Sequence, residues 1–198
     1  KKTFFNDISF FFLKKRFFDF YIILVINNKN ITLKQNMKIT FLTTGWTIDK
    51  DYASWAGVYD FEIWEPSIKR ILSDVNPNFE FEIISILKKD SLDIDEQDRD
   101  LIFDICNDVK NDKIIISHGT DTMIKTAKKL SRITNKTIIL VWSSKPERFK
   151  WSDASFNVWC AIWAINCIKN WVYVAMSGRI YNWDNCKKDN TSGQFINL

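Results

Sequence analysis

The chain is predicted to be an α/β protein with a doubly wound, mostly parallel sheet and helices on both faces. Three observations predict this. Apolar strand-like runs alternate with helical patterns from residue 37 onward. Several of the runs are continuous and β-branched, as in Ile114-Ile115-Ile116 and Ile138-Ile139-Leu140-Val141, which suits strands covered on both faces. A length of 198 residues suits one such domain.

Taken in order, the strand candidates are Lys38–Leu42, Phe79–Leu87, Lys113–Ser117, Thr137–Val141 and Val172–Met176. Helical patterns lie between them at Pro66–Leu72, Asp95–Val109, Thr122–Ile133 and Ser152–Ile168. Pro66 fits a first helical position, and Asp95-Glu96-Gln97-Asp98 places acids in a first turn. The expected architecture is a flavodoxin- or Rossmann-like three-layer sandwich. Ligands of such sheets bind beyond the C-terminal strand ends. Thr43–Asp49, Lys88–Asp93 and His118–Thr122 fall there.

Residues 1–36 differ from the rest. They hold eight of the sixteen Phe and carry seven Lys or Arg against two acids. That surplus exceeds the +4 of the whole chain, so residues 37–198 are near neutral and give no electrostatic footprint for nucleic acid. Neither apolar run of this segment reaches the ~18 residues of a membrane span, and no small-residue cleavage site follows. We read 1–36 as translated upstream sequence or a disordered leader, with a membrane-surface anchor as the alternative, and 37–198 as the domain. Cys106, Cys160, Cys167 and Cys186 show no C-x-x-C spacing and read as buried free thiols.

The composition holds nine Trp and only five Gly, where average usage predicts roughly 7% Gly. The tryptophans stand where glycine has mechanical work. Trp46 lies in the turn after the first strand, and Trp142 follows the strand ending at Val141. Trp171 falls at the left-handed position past a helix, Trp183 follows Asn182, and Trp159 and Trp163 share a helical face. Trp55, Trp64 and Trp151 lie in loops. Some bacterial lineages read UGA as glycine, so a standard translation of such a gene yields this pattern. Read literally, the chain is expected to show crowded or exposed tryptophan around 46, 142 and 171.

With glycine at 46, the first turn reads TTGGTID over 43–49. The second motif is Ser117-His118-Gly119-Thr120-Asp121-Thr122. A Thr hydroxyl on a Gly turn is a nucleophile candidate beside backbone N–H groups that can hold an oxyanion. Thr120 and Asp121 at a strand end that opens a helix suit a substrate carboxylate and ammonium. The two motifs together resemble the signatures of the L-asparaginase family. The resemblance extends through Asp90-Ser91-Leu92-Asp93, Ser144–Phe149 and Ser177-Gly178-Arg179 to Lys188. It looks most like short, stand-alone proteins corresponding to the family's N-terminal domain.

The resemblance implies an amidohydrolase that releases ammonia from asparagine or a related small amide, without a cofactor, in the cytoplasm. By it Thr47 matches the nucleophile, and Thr120, Asp121 and Lys188 match a Thr-Asp-Lys group, with Lys187 one position away. Tyr59 matches a flexible-loop tyrosine that assists the nucleophile. Ser91 matches a substrate contact, with Gly119, Thr120 and Asp121 completing the substrate-binding set. His118 is the only histidine, cannot make a metal site alone and reads as structural. Glu62 and Glu65 read as solvated.

Three departures stand out. A Trp at 46 fills the approach to Thr47. Leu92 offers no hydrogen bond to a substrate carboxylate, which argues against strict asparagine preference. Full-length asparaginases carry a second domain and take part of each site from a neighbouring subunit, so a homodimer is the expected partner of a chain ending at Leu198. Two alternatives share the fold: a non-catalytic module binding a small amino acid, and a nucleotide-binding domain. The latter lacks a G-x-G-x-x-G or P-loop signature.

Overall fold

The computed structural model describes residues 37–45, 47–52, 61–63, 65–189 and 191–198, with residues 51, 52 and 61–63 described as backbone only. The predicted strands and helices are present. They are β1 (Lys38–Thr43), β4 (Glu80–Ser85), β5 (Lys113–Ser117), β6 (Thr137–Val141) and β7 (Val172–Met176), with α1 (Ser67–Ser73), α2 (Glu96–Asp108), α3 (Thr120–Leu130) and α4 (Ala154–Ala164). Five short strands were not predicted: β2 (Lys50–Tyr52), β3 (Phe61–Ile63), β8 (Arg179–Asn182), β9 (Cys186–Lys188) and β10 (Phe195–Asn197). β2 pairs with β3 and β9 with β10 in two antiparallel ribbons.

The six-stranded sheet runs β4-β1-β5-β6-β7-β8. Its pairs are parallel from β4 through β7, and β8 closes the edge antiparallel. Alternation along each strand sends side chains to opposite faces. Ile114, Ile116, Ile138, Leu140, Val172 and Val174 join Ile102 of α2 and Met123 and Ala127 of α3. Ile39, Phe41, Ile115, Ile139 and Ala175 join Ile68 and Ile71 of α1 and Val158 and Ile162 of α4. This is why the sequence shows continuous apolar runs: both faces are covered. The edge strand β4 is the exception, since its side chains are half-buried or exposed.

Chain order places β4 and β5 on opposite sides of β1. The sheet therefore reverses direction at the C-terminal ends of β1 and β5, the crevice where such folds bind ligands. Thr43 and Ser117 are paired at that end, and the Thr44 hydroxyl donates to the Ser117 carbonyl at 2.9 Å.

Helix ends differ from the sequence reading for local reasons. Pro66 is the N-cap of α1, one position outside the helix. The acids before α2 form a capping box: Asp95 accepts from the Asp98 N–H at 2.9 Å and Asp98 accepts from the Asp95 N–H at 3.0 Å. Gly119 caps α3, so that helix starts at Thr120 rather than Thr122. The α4 pattern frays into turns after Ala164, where Cys167 and Ile168 both donate back to the Ala164 carbonyl.

The tryptophans fit this fold poorly, though not always where expected. Trp171 is half-buried and lies outside the left-handed region; its carbonyl accepts the Ile138 N–H at 2.9 Å as the chain enters β7. The left-handed tryptophan is Trp151, at φ 64° and 81% exposed. Trp142 and Trp183 are half-buried, and each indole N–H is buried without a hydrogen-bond partner among the described residues. Trp159 and Trp163 do not form a common close-packed seam, since Trp163 is 68% exposed. Trp46, Trp55 and Trp64 lie outside the described residues. The cysteine reading also needs correction: Cys106 and Cys186 are buried, Cys160 is half-buried, and Cys167 is exposed because α4 ends before it.

Candidate active site

Thr47 opens a single 3-10 turn, Thr47–Asp49, directly after the β1 crossover end. Its side chain is half-buried, while Ile48 plugs the core below. Gly45 enters the turn at φ 85°, a conformation that favours glycine.

Thr120 and Asp121 open α3 at the end of β5, the hydrogen-bonded neighbour of β1. Lys188, the last residue of β9, reaches both. Its Nζ donates to Thr120 Oγ1 at 2.9 Å and to Asp121 Oδ1 at 2.9 Å. Thr120 is 4% exposed. Its oxygen accepts from the lysine, so its own O–H is directed elsewhere as a donor. Lys187 is exposed. The β9–β10 pairing sets this choice, with Phe195 opposite Lys188 and buried against Tyr181, whose hydroxyl donates to the Phe195 carbonyl at 2.6 Å.

Ser91 opens a second 3-10 turn, Ser91–Asp93, capped by the Asp90 carboxylate accepting from Leu92 N–H. The Ser91 carbonyl accepts from Thr122 Oγ1 at 2.6 Å, which ties this turn to α3. Ser91 is fully buried, yet its hydroxyl has no partner among the described residues. A buried hydroxyl left without a partner costs stability. Leu92 is 70% exposed. Lys50 of β2 lies 3.7 Å from Asp90.

His118 is fully buried. Its Nδ1 is 2.8 Å from the Gly119 carbonyl and its Nε2 is 2.9 Å from Thr126 Oγ1. The carbonyl can only accept, so Nδ1 carries the proton and Nε2 accepts from Thr126. Burial pushes its pKa down to about 4, leaving a neutral ring that braces the start of α3. Gly119 contributes its backbone as the α3 cap. Glu65 is exposed and pairs with Lys69. Tyr59 and the Glu62 side chain lie outside the described residues. Among the described residues no group of three His, Cys, Asp or Glu is placed to hold a metal, and no helix is long and apolar enough to cross a membrane.

Residues 38–194 match the family model for the asparaginase N-terminal domain. The chain belongs to the asparaginase family. Solved asparaginases share its fold. The thermostable L-asparaginase from Thermococcus kodakarensis superposes with a TM-score of 0.72 at 25% identity, covering 82% of this chain and 51% of that enzyme. L-asparaginase I from Vibrio cholerae gives 0.68 at 26% identity, with coverages of 81% and 51%. The probable cytoplasmic L-asparaginase from Campylobacter jejuni gives 0.63 at 21% identity, with 76% and 48%. The asparaginase-family chain thus spans about half the length of these enzymes. No curated protein matches its sequence.

Within this family member Thr44, the 90–93 turn, residues 117–122 and the lysine of β9 are linked by hydrogen bonds at the C-terminal ends of β1 and β5. The residues that sequence reasoning missed are Thr122 and Thr126, which tie Ser91 and His118 to α3. Their spacing along one helical face was the available signal.

Proposed function

We propose that the chain is an L-asparaginase-like amidohydrolase, with residues 37–198 as its working domain and Thr47 as nucleophile. The observation that carries this reading is the convergence of Lys188 on Thr120 and Asp121 at the end of β5, beside the strand that delivers Thr47.

In the proposed reaction, Thr47 Oγ attacks the side-chain amide carbon. The hydroxyl proton passes to the departing nitrogen, the C–N bond breaks, and ammonia leaves an ester on Thr47. Water then attacks the ester carbonyl, the bond between the acyl carbon and Thr47 Oγ breaks, and a proton from the water restores the Thr47 hydroxyl as the acid is released. Thr120, its oxygen held by Lys188, presents its O–H to the proton path. The Asp121 carboxylate pairs with the substrate ammonium, and Ser91 binds the substrate carboxylate with its orphan hydroxyl. Tyr59 assists Thr47. The protein works in the cytoplasm as a homodimer and needs no cofactor.

The reading includes glycine at the nine Trp positions, Trp46 above all. Support comes from the left-handed, exposed Trp151 and the orphaned indoles of Trp142 and Trp183. Three of the strains vanish with glycine, which has neither a Cβ nor an indole N–H.

A second reading keeps the ligand without turnover: a module that binds a small amino acid. Leu92, apolar and exposed beside Ser91, favours it, since a polar contact is missing there. Ammonia release from asparagine, with Thr47→Ala as control, separates the two. An active parent and an inactive variant support the enzyme. Aspartate binding by calorimetry without ammonia release supports the module.

A further inference from the structure

Three segments converge on the carbonyl of Ile48, the residue after Thr47. Ser67 Oγ, at the start of α1, donates to it at 2.5 Å. The backbone N–H of Glu147, from the Ser144–Phe149 loop, donates to it at 3.2 Å. Both lone pairs of this carbonyl are therefore occupied. Next to it, Asp49 Oδ1 accepts the Ser67 N–H at 2.7 Å.

The far sides of these donors are joined. Arg70 Nη2 donates to Ser67 Oγ at 3.2 Å. The same guanidinium binds Glu147 Oε2 through Nε at 2.8 Å and Nη2 at 2.6 Å. A closed ring results: Ile48 carbonyl, Ser67, Arg70, Glu147, and back to the Ile48 carbonyl. Ile48, Asp49 and Ser67 are almost fully buried, and Glu147 is 14% exposed in its side chain.

A single 3-10 turn has too few internal hydrogen bonds to hold its own first residue. Upstream, Gly45 is the most permissive residue type. The turn that carries Thr47 therefore takes its orientation from outside, and the ring supplies it. We propose that Ser67, Arg70 and Glu147 are positioning residues for Thr47, fixing the peptide plane behind it so that its hydroxyl points into the crevice. The proposal rests on the reading of Thr47 as nucleophile. Among the described residues none of the three hydrogen-bonds to the groups proposed to bind substrate, so the ring acts on the chemical step and leaves affinity alone.

The test uses the full chain with Trp46→Gly. Ser67→Ala removes the donor to Ile48 and the acceptor for Arg70 together. A misplacement of about 1 Å costs about 100-fold in rate. Expected is a kcat for ammonia release lowered about 10- to 100-fold with KM within about twofold, an intermediate loss in Glu147→Gln, and recovery of most activity in Ser67→Thr. A second readout needs no turnover. The Thr47 methyl resonance should broaden or split in Ser67→Ala, while those of Thr122 and Thr126 stay in place. A lowered melting temperature with unchanged kcat and an unchanged Thr47 methyl overturns the proposal and leaves the ring a structural brace. If the parent releases no ammonia, the enzyme reading fails by itself; the Thr47 methyl alone then decides whether the ring holds the turn.

Discussion

Lys188 Nζ donates to Thr120 Oγ1 at 2.9 Å across 68 positions of sequence. A lysine brought that far to a nearly buried hydroxyl does more than decorate a surface, because the contact fixes which way the Thr120 O–H points. The same ammonium holds Asp121. Loss of the lysine therefore frees one hydroxyl and one carboxylate at once.

Lys188→Met should lower kcat for asparagine by about 10²- to 10⁴-fold, the usual worth of a positioned proton-transfer group. Lys187→Met, one residue along on the exposed side of β9, should stay within about twofold, as surface substitutions do. Steady-state ammonia release reads both.

Ser91→Ala should separate binding from stability. The hydroxyl makes no hydrogen bond within the described protein, so its removal takes no native partner away. Its melting temperature should match the parent or rise slightly, while KM rises about tenfold, the worth of about 1.4 kcal/mol of lost ligand hydrogen bonding. A drop in melting temperature with unchanged KM would show the hydroxyl to be structural.

Two buried groups set the pH response in opposite directions. The Asp49 carboxyl is pushed up to about 6, chiefly by burial, against the hydrogen bonds from Ser67 and the charge of Arg70; Glu147 adds to the rise. Its folded pKa lies above its unfolded value, so its contribution favours folding at low pH and is lost as pH rises through about 6. His118 is pushed down to about 4 by burial. Its folded pKa lies below its unfolded value, so its contribution is full above about 6.5 and is lost as pH falls toward about 4. Each effect is on the order of 3 kcal/mol, and between about pH 4 and 6 they oppose each other. Asp49→Asn should therefore lose stability on acidification more steeply than the parent, and gain most at neutral pH. Urea unfolding at pH 4.5 and pH 7.5 reads the difference. Parallel pH profiles for the two proteins contradict this balance.

Trp151 gives the glycine reading a local test. A bulky residue at φ 64° costs about 1–2 kcal/mol, and this one is largely exposed, with the Lys150 ammonium over its ring at 5.5 Å. Peptide mass spectrometry of the protein from its natural host should show glycine at 151 and at 46. A tryptophan mass at either position contradicts the reading.

Much of the fold was legible because the central strands are apolar on both faces. β5, β6 and β7 have the bounds that their apolar runs predict. The short strands β8, β9 and β10 were not legible. They are too short and polar for a periodic signal, and β9 holds Lys188 through its pairing with β10 rather than through any local pattern. Trp171 misled because α4 stops at Ala164, well before it, so no helix end precedes it directly. The motif residues Thr47, Ser91, Thr120, Asp121 and Lys188 could be named from sequence, but the ring behind Thr47 could not. Ser67 and Arg70 share α1, but Glu147 lies 77 positions beyond Arg70, so no local pattern joins them.

We propose that this asparaginase-family chain hydrolyses a small amide through Thr47. The direct measurement is ammonia release from L-asparagine by the full chain carrying glycine at the nine Trp positions, beside its Thr47→Ala variant. Release by the first and a loss of at least about 10³-fold in the second are expected. Equal rates in both, or no ammonia from asparagine or any other small amide, would contradict it.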